Sequence, residues 1–371
     1  MPPRWRLPLT PPLPIRVGTG RCACCGALSF LLRLQSSRKG HEVANAKNQP
    51  SLADIHAAAV RLRDVVVRTP LVPLHSYDNR RDILLKPELL QPIGSFKLRG
   101  IFNAVAALSS EARAAGLSTT SSGNTAQALA WSARYFGTSA RSLMPVNAPQ
   151  SKVDAFRNYG GEPVLVSREE LFAYMRDHGW EAEPYSFVHP WTERDVMAGN
   201  GTIGLEILED CPNVQSIFVP VGGGGLIGGI GSAVKAMRPD VRIIAVEPEG
   251  CCALKASFDA GRPMSAPCDT ICDGVAVPLV VPDVFEVLSR VVDEVVLVSE
   301  NDVKSAMKRL GLRNKLIVEG SAALAPAAAM RMAQAERGLS VCIVTGGSID
   351  PELHAAIMGD PTVLPLEPVT A

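Results

Sequence analysis

The chain has 371 residues, of which 47% are hydrophobic and 20% charged, and its lysines plus arginines equal its aspartates plus glutamates at 37 each. This length favours two domains with buried cores, while the balanced charge gives no support to binding of nucleic acid or of a membrane surface. No apolar run approaches the roughly 18 residues that a membrane span needs. The nine cysteines are irregularly spaced, which favours reduced thiols in a reducing compartment and therefore a cytoplasmic protein.

Residues 1–50 differ in composition from the rest of the chain. They are rich in proline and arginine, and no acidic residue precedes Glu42. We interpret them as a disordered extension without a catalytic role. An organelle transit peptide and upstream sequence that is not normally translated are the two alternatives. Cys22 and Cys25 have the spacing of half a zinc site, but no second pair follows, so zinc is not expected.

After residue 50, strand and helix patterns alternate. Ser51 has the character of a helix cap for the first helix. The predicted helices are 51–65, 96–108, 125–136, 151–159, 169–178 and 226–237. The predicted strands are 82–85, 117–121, 141–145, 163–166, 216–221, 241–247 and 340–345. This alternation predicts a parallel α/β fold whose functional sites lie at the carboxyl ends of strands.

Lys97 stands at the start of the predicted helix 96–108. Pro92 and Gly94 interrupt the preceding segment, and Ser95 can cap the helix. The positive end of the helix dipole disfavours a lysine charge at this position, which lowers the pKa and suits a lysine that forms a Schiff base. The alternative is a surface lysine near a helix start. The other motifs decide between these two interpretations of Lys97.

The Ser121-Ser122-Gly123-Asn124 segment joins a predicted strand to a predicted helix. Its backbone N–H groups and hydroxyls suit an anion such as a carboxylate. A simple capping turn explains these four residues equally well.

Four consecutive glycines, Gly222, Gly223, Gly224 and Gly225, lie between an apolar strand and a helix. Such a run offers free N–H groups for a phosphate, and its entropic cost argues against a merely structural role. Gly223, Gly225 and Gly228, with Glu247 at the end of the next strand, also have the spacing of a dinucleotide fingerprint. An NAD-dependent dehydrogenase is therefore an alternative, although it gives Lys97 no role.

Thr345 precedes two glycines at the end of the last predicted strand, where its hydroxyl can meet a ring nitrogen. Together and in this order, Gly-Ser-Phe-Lys97, Ser-Ser-Gly-Asn124, the four glycines and Thr345-Gly-Gly resemble the fold-type II pyridoxal-phosphate enzymes, in particular the threonine/serine dehydratase and serine racemase group. The resemblance covers about residues 51–350. It implies a homodimer with the tryptophan synthase β-subunit-like fold, in which 51–111 and 193–371 form a large cofactor-binding domain around a small inserted domain, 112–192.

The resemblance also implies a role for each motif. Lys97 is expected to form a Schiff base with pyridoxal 5'-phosphate, with Phe96 packed beside the ring. The phosphate would bind Gly222, Gly223, Gly224 and Gly225, the ring hydroxyl Asn124, and the ring nitrogen Thr345. The substrate carboxylate would bind Ser121, Ser122 and Gly123.

The activity that the resemblance implies is elimination of water and ammonia from L-threonine or L-serine, which yields 2-oxobutanoate or pyruvate. Lys97 would remove the α-proton. Ser122 occupies the position of the opposite-face acid of serine racemases, so a racemase is an alternative, as is a non-catalytic amino-acid-binding relative. Thr125, Asn200 and Ser348 depart from the usual residues and leave the preferred substrate open. Ala253 replaces an acidic ligand of the metal-activated members, so no metal is expected.

Overall fold

The computed structural model describes residues 46–76 and 81–369. Most of the predicted extension, residues 1–45, therefore lies outside the described residues. Cys22 and Cys25 belong to this part of the chain. Among the helices of the described part, none is both long and apolar enough to cross a membrane.

Ten strands are found in the described part of the chain, and they form two sheets. They are β1 (Val72–Pro73), β2 (Ile83–Pro87), β3 (Leu117–Thr120), β4 (Ala140–Pro145), β5 (Glu162–Val166), β6 (Ser186–Phe187), β7 (Ser216–Pro220), β8 (Arg242–Pro248), β9 (Glu294–Val298) and β10 (Ser340–Val344). The larger sheet has the order β1-β2-β10-β7-β8-β9 and is parallel apart from β1. The smaller sheet, β5-β4-β3-β6, is parallel throughout.

Helices connect these strands and cover the sheets. They are α1 (Leu52–Leu62), α2 (Lys97–Ala107), α3 (Ser110–Ala114), α4 (Asn124–Phe136), α5 (Gln150–Asn158), α6 (Arg168–Arg176), α7 (Arg194–Asp210), α8 (Gly225–Met237), α9 (Ala253–Ala260), α10 (Pro282–Val291), α11 (Glu300–Arg309), α12 (Gly320–Arg331), α13 (Gln334–Arg337) and α14 (Pro351–Gly359). The predicted parallel α/β fold is confirmed, and every predicted strand and helix appears within a few residues of its expected bounds. The smaller sheet falls inside the predicted segment 112–192, but the division into domains stays a prediction.

Several elements were not predicted, and α7 and α12 show why. Glycines interrupt the apolar pattern of α7 where neighbouring helices pass close to it. A Cβ atom at Gly199 would lie 2.3 Å from the carbonyl oxygen of Arg99 in α2. One at Gly201 would lie 3.0 Å from the carbonyl oxygen of Gly229 in α8. The helix α12 is buried along nearly its whole length, so it has no polar face and no helical alternation of polarity. Close packing therefore removes the periodic signal that identifies a helix in a sequence.

The expectation that all thiols are reduced is wrong for one pair. Cys251 and Cys268 form a disulfide across 17 residues of sequence. The pairing arises because the backbone returns beside the turn after β8, where the N–H of Asp269 donates to the carbonyl of Gly250 at 2.8 Å. Irregular cysteine spacing does not reveal such a return of the chain.

Candidate active site

A cavity of about 360 Å³ lies where loops of the two sheets face each other. All the residues that the sequence singled out as site residues line it. They are Phe96, Lys97, Ser121, Ser122, Gly123, Asn124, Gly222, Gly223, Gly224, Gly225 and Thr345. The cavity thus brings together segments that are more than 240 residues apart, as expected for the carboxyl ends of parallel strands.

Lys97 is the first residue of α2, and main-chain bonds fix this end of the helix to the end of β10. The N–H of Phe96 donates to the carbonyl of Thr345 at 3.0 Å, and the N–H of Gly347 donates to the carbonyl of Gly94 at 3.0 Å. Ser95 and Gly346 form an isolated antiparallel bridge between these bonds. The position of Lys97 relative to Thr345 is therefore set by backbone geometry.

The ammonium group of Lys97 is easier to deprotonate than that of an ordinary lysine. Burial lowers its pKa from 10.5 to about 8, although the negative charge of Glu319 opposes this shift. The Nζ atom lies 5.1 Å from the centroid of the Phe96 ring. The sequence predicted the direction of the shift from the helix dipole, but burial is its main cause.

The four glycines lie directly after β7 and lead into α8 through tightly packed surroundings. A Cβ atom at Gly223 would lie 2.4 Å from the Trp191 ring, and one at Gly222 would lie 2.8 Å from Cα of Val275. Gly224 has a φ of +87°, which side chains rarely allow. Only bare backbone fits here, and its N–H groups at the start of α8 suit a phosphate.

The serine loop after β3 uses part of its polar capacity internally. The N–H of Gly123 donates to Oγ of Ser121 at 3.1 Å, and Oγ of Ser142 donates to the Ser121 carbonyl at 2.7 Å. Ser122 makes no side-chain hydrogen bond with any described residue, and it is only partly buried. Its hydroxyl is therefore the one in this loop most readily offered to a substrate.

Four buried polar atoms at the cavity have no hydrogen-bond partner among the described residues. They are Oδ1 of Asn124, Oγ1 of Thr345, Oγ of Ser321 and Oδ1 of Asn200. Unpaired buried polar groups are costly and rare in folded proteins. The donor and acceptor set fits a ligand with a polar ring edge and a phosphate, so the residues present suit pyridoxal phosphate.

Glu247 does not face this cavity as a ribose-binding acid. Its carboxylate accepts the N–H groups of Leu254 and Lys255 at 2.8 Å each and so caps the start of α9. Burial raises its pKa to about 7. The Glu247 carboxylate therefore serves as a helix cap and does not take the ribose-binding role that a dinucleotide fingerprint requires.

Sequence reasoning gave no role to two further charged residues at the cavity. Lys152, from α5, forms an ion pair with Asp273 across the mouth. Glu319 lies just before α12, where it is 5% exposed and hydrogen-bonded to Asn124. The position of Lys152, in a predicted helix that follows the end of a predicted strand, could have indicated a residue of the site. No local pattern pointed to the carboxylate of Glu319.

Comparison with known proteins gives consistent results. Residues 62–346 match the model of the family described as pyridoxal-phosphate dependent enzyme. L-threonine ammonia-lyase of Geobacter sulfurreducens is 40% identical over 309 residues, which cover 82% of this chain and 77% of that protein. Threonine deaminase isoform 2 of Solanum lycopersicum has a TM-score of 0.75 at 32% identity, covering 83% of this chain and 92% of that one. Maize serine racemase has a TM-score of 0.77 at 33% identity, covering 82% and 95%.

Proposed function

The chain belongs to the family of pyridoxal-phosphate-dependent enzymes, and we propose that it is an ammonia-lyase that converts L-threonine, L-serine or both into 2-oxobutanoate or pyruvate and ammonia. The observation that carries this proposal is that Lys97, with its lowered pKa, shares one cavity with the four-glycine loop. The similarity to an L-threonine ammonia-lyase and to a threonine deaminase supports this choice of reaction.

In the cofactor half of the cavity, the protein would hold the phosphate, meet the polar edges of the ring and move the α-proton. Bound pyridoxal phosphate supplies a conjugated ring that stabilises negative charge at the α-carbon of an amino acid. The N–H groups of the loop 222–225 hold the phosphate, and Thr345 and Asn124 meet the polar edges of the ring. The Lys97 amine would hold the cofactor, and its Nζ would take the α-proton of the substrate.

The substrate half consists of the serine loop. Ser121, Ser122 and Gly123 bind the α-carboxylate through hydroxyls and backbone N–H groups near the start of α4. We place the smaller sheet in an inserted domain, 112–192, whose approach to the larger domain would exclude water from the reacting atoms. Phe96 supports the ring beside Lys97.

A serine racemase is the second candidate. The likeness to maize serine racemase favours it, as does the hydroxyl of Ser122 at the cavity, which has no hydrogen bond to a described residue. In that case Ser122 would move a proton on the face of the substrate opposite Lys97. The two activities differ in product, because a racemase returns the other enantiomer while a lyase releases a keto acid.

We also propose a homodimer and a cytoplasmic location. Light scattering after gel filtration tests the first: a mass near twice the 39.5 kDa of one chain is expected. Fractionation of cells tests the second, and the protein is expected in the cytoplasmic fraction. A monomer, or recovery from a membrane or organelle fraction, would contradict these proposals.

The activity is tested by incubating the cofactor-loaded protein with L-threonine, L-serine and other 3-hydroxy amino acids. Keto acid, ammonia and the enantiomer of the remaining substrate are measured together. We expect keto acid and ammonia in equal amounts, and none from a Lys97→Ala variant. The opposite enantiomer without keto acid would establish the racemase instead. Cofactor binding with neither product would indicate an amino-acid-binding protein.

A further inference from the structure

A cluster of ion pairs is buried against the side of α2 that faces away from the cavity. Arg99 is the third residue of α2, two positions after Lys97, and residues two apart on a helix point to different faces. Lys97 lines the cavity and Arg99 does not. Arg99, Glu88 and Lys86 are fully buried, while the side chain of Glu206 is 12% exposed. The proposed reaction uses none of these four ionisable side chains.

The guanidinium group of Arg99 joins α2 to two other elements. It donates to the two oxygens of Glu88, in the turn that follows β2, at 2.8 and 2.9 Å. It also donates to the two oxygens of Glu206, in α7, at 2.7 and 2.9 Å. Nζ of Lys86, in β2, donates to Glu206 as well, at 2.5 Å. Two forked pairs of this kind leave the guanidinium group one orientation.

The formal charges of the cluster cancel, since two carboxylates face one arginine and one lysine. Burial alone would raise the pKa of Glu88, but the charge and the hydrogen bonds of Arg99 hold that pKa below its ordinary value. Buried ion pairs add little net stability compared with apolar packing, because desolvation offsets the attraction. What such a cluster can supply is one fixed geometry between the elements that carry it.

The helix α7 connects this cluster to the four-glycine loop. Its Thr202 accepts a hydrogen bond from Arg99 at 3.1 Å, and a Cβ atom at Gly199 would lie 2.3 Å from the carbonyl oxygen of Arg99. From the same turn of α7, Nδ2 of Asn200 donates to the carbonyl of Gly225 at 3.1 Å. Within the described ranges, no hydrogen bond joins α2 directly to the four-glycine loop. A hydrogen-bonded path from α2 to the start of α8 therefore passes through α7.

We propose that Arg99 is a positioning residue, whose two forked ion pairs fix α2 against α7 so that Lys97 and the four-glycine loop are correctly spaced for one cofactor molecule. This inference rests on the proposed function, in which the loop holds the phosphate and Lys97 holds the aldehyde carbon of the same ligand. A ligand held at two points gains affinity from the second contact only when the spacing of the two points suits it. Arg99 thereby acts on the spacing without touching the cofactor.

Three probes separate the spacing from the two individual contacts. Pyridoxal 5'-phosphate makes both contacts, pyridoxal lacks the phosphate, and pyridoxine 5'-phosphate carries an alcohol in place of the aldehyde. Their dissociation constants are measured by calorimetry after removal of bound cofactor. Arg99→Lys keeps the charge but cannot form two forked pairs, so the constant for pyridoxal 5'-phosphate should rise by about 10- to 100-fold. The constants for the other two probes should stay as in wild type.

Arg309→Lys is the matched control for loss of stability alone. Arg309 is also fully buried and paired with a carboxylate, that of Glu367, but it lies in α11 and does not line the cavity. Its replacement should leave all three dissociation constants unchanged. Glu206→Gln keeps an acceptor but loses the charge, and it should give the pattern of Arg99→Lys with a smaller rise. This variant remains informative if Arg99→Lys does not fold, which circular dichroism verifies.

Every other pattern overturns the proposal. Equal weakening of all three probes in Arg99→Lys would make Arg99 a general support of the cavity, and weakening of only one partial probe would assign Arg99 to a single contact. Unchanged binding of pyridoxal 5'-phosphate, or a rise of the same size in Arg309→Lys, would show that Arg99 does not set the spacing. These measurements need no amino acid. Absence of keto acid from wild type would therefore refute the proposed activity but leave the comparison of the probes intact.

Discussion

The two sides of the cavity are built in different ways. On the side of the larger sheet, the backbone forms the site, and added atoms do not fit: a Cβ atom at Gly223 would meet the Trp191 ring at 2.4 Å. On the side of the smaller sheet, hydroxyls and an amide form the site, and a Cβ atom at Gly123 would meet nothing within 4 Å. A rigid cofactor side and a roomier substrate side suit a family that keeps one cofactor and varies its substrates.

The largest loss of activity is expected on the cofactor side, when Lys97 is replaced. Replacing it by alanine removes the group that attaches the cofactor and moves the α-proton, so keto acid formation should fall by about 10³-fold or more. Borohydride reduction followed by mass spectrometry should find the cofactor on Lys97 in wild type and not in the variant. Lys47→Ala, at an exposed position, is the control and should behave as wild type. Retained turnover in Lys97→Ala would remove the basis of the comparison.

The pH at which Lys97 loses its proton gives a second measure of the cofactor side. A pKa of about 8 instead of 10.5 means that roughly 10²-fold more neutral amine is present at pH 7 than for an ordinary lysine. Trace acetylation of the cofactor-free protein across pH, read by mass spectrometry, should give a half-point near pH 8. Burial also lowers the pKa of Lys152 on the substrate side. The half-point of Lys152 in the same experiment can therefore be compared with that of Lys97. A half-point for Lys97 near 10.5 would contradict the prediction.

A matched pair of glycine substitutions compares the two sides directly. In Gly223→Ala the new methyl group overlaps the Trp191 ring, so the dissociation constant for pyridoxal phosphate should rise by about 10- to 100-fold. In Gly123→Ala the methyl group has open space and the φ is −119°, so that constant should change less than about 2-fold. Titration of the cofactor absorbance measures both. Equal losses in the two variants would mean that the substrate side is as tightly packed as the cofactor side.

The same contrast explains what the sequence could predict. The four glycines, Lys97 and Thr345 are recognisable because short contiguous segments at strand ends carry their chemistry, and parallel topology then brings those ends together. The contact between Asn124 and Glu319 joins residues 195 positions apart. No spacing rule links such a pair, and the glutamate lies where a helix-capping residue would be expected.

The elements that were missed have a related cause. The helix α7 carries Asn200, whose Oδ1 at the cavity has no partner among the described residues, and the glycines of α7 conceal its helical period. Those glycines lie where α7 meets α2 and α8, and a Cβ atom at Gly199 would lie 2.3 Å from the carbonyl oxygen of Arg99. Helix contacts, like the disulfide between Cys251 and Cys268, depend on the three-dimensional course of the chain. Local periodicity does not encode that course.

The smallest expected effect tests the substrate side by itself. Ser122→Ala removes the hydroxyl at the cavity that is unbonded among the described residues. A hydrogen bond to a charged group is worth about 1.5–3 kcal/mol, and the lower end of this range applies because Ser122 is only partly buried. KM for the amino acid should therefore rise by about 10-fold or somewhat more, while the cofactor spectrum and the cofactor dissociation constant stay as in wild type. Ser289→Ala, at an exposed position, serves as the control. A loss of cofactor binding in Ser122→Ala would show that the serine loop belongs to the cofactor side after all. Loss of racemisation with retained keto acid formation would instead assign Ser122 a proton-transfer role on the opposite face of the substrate.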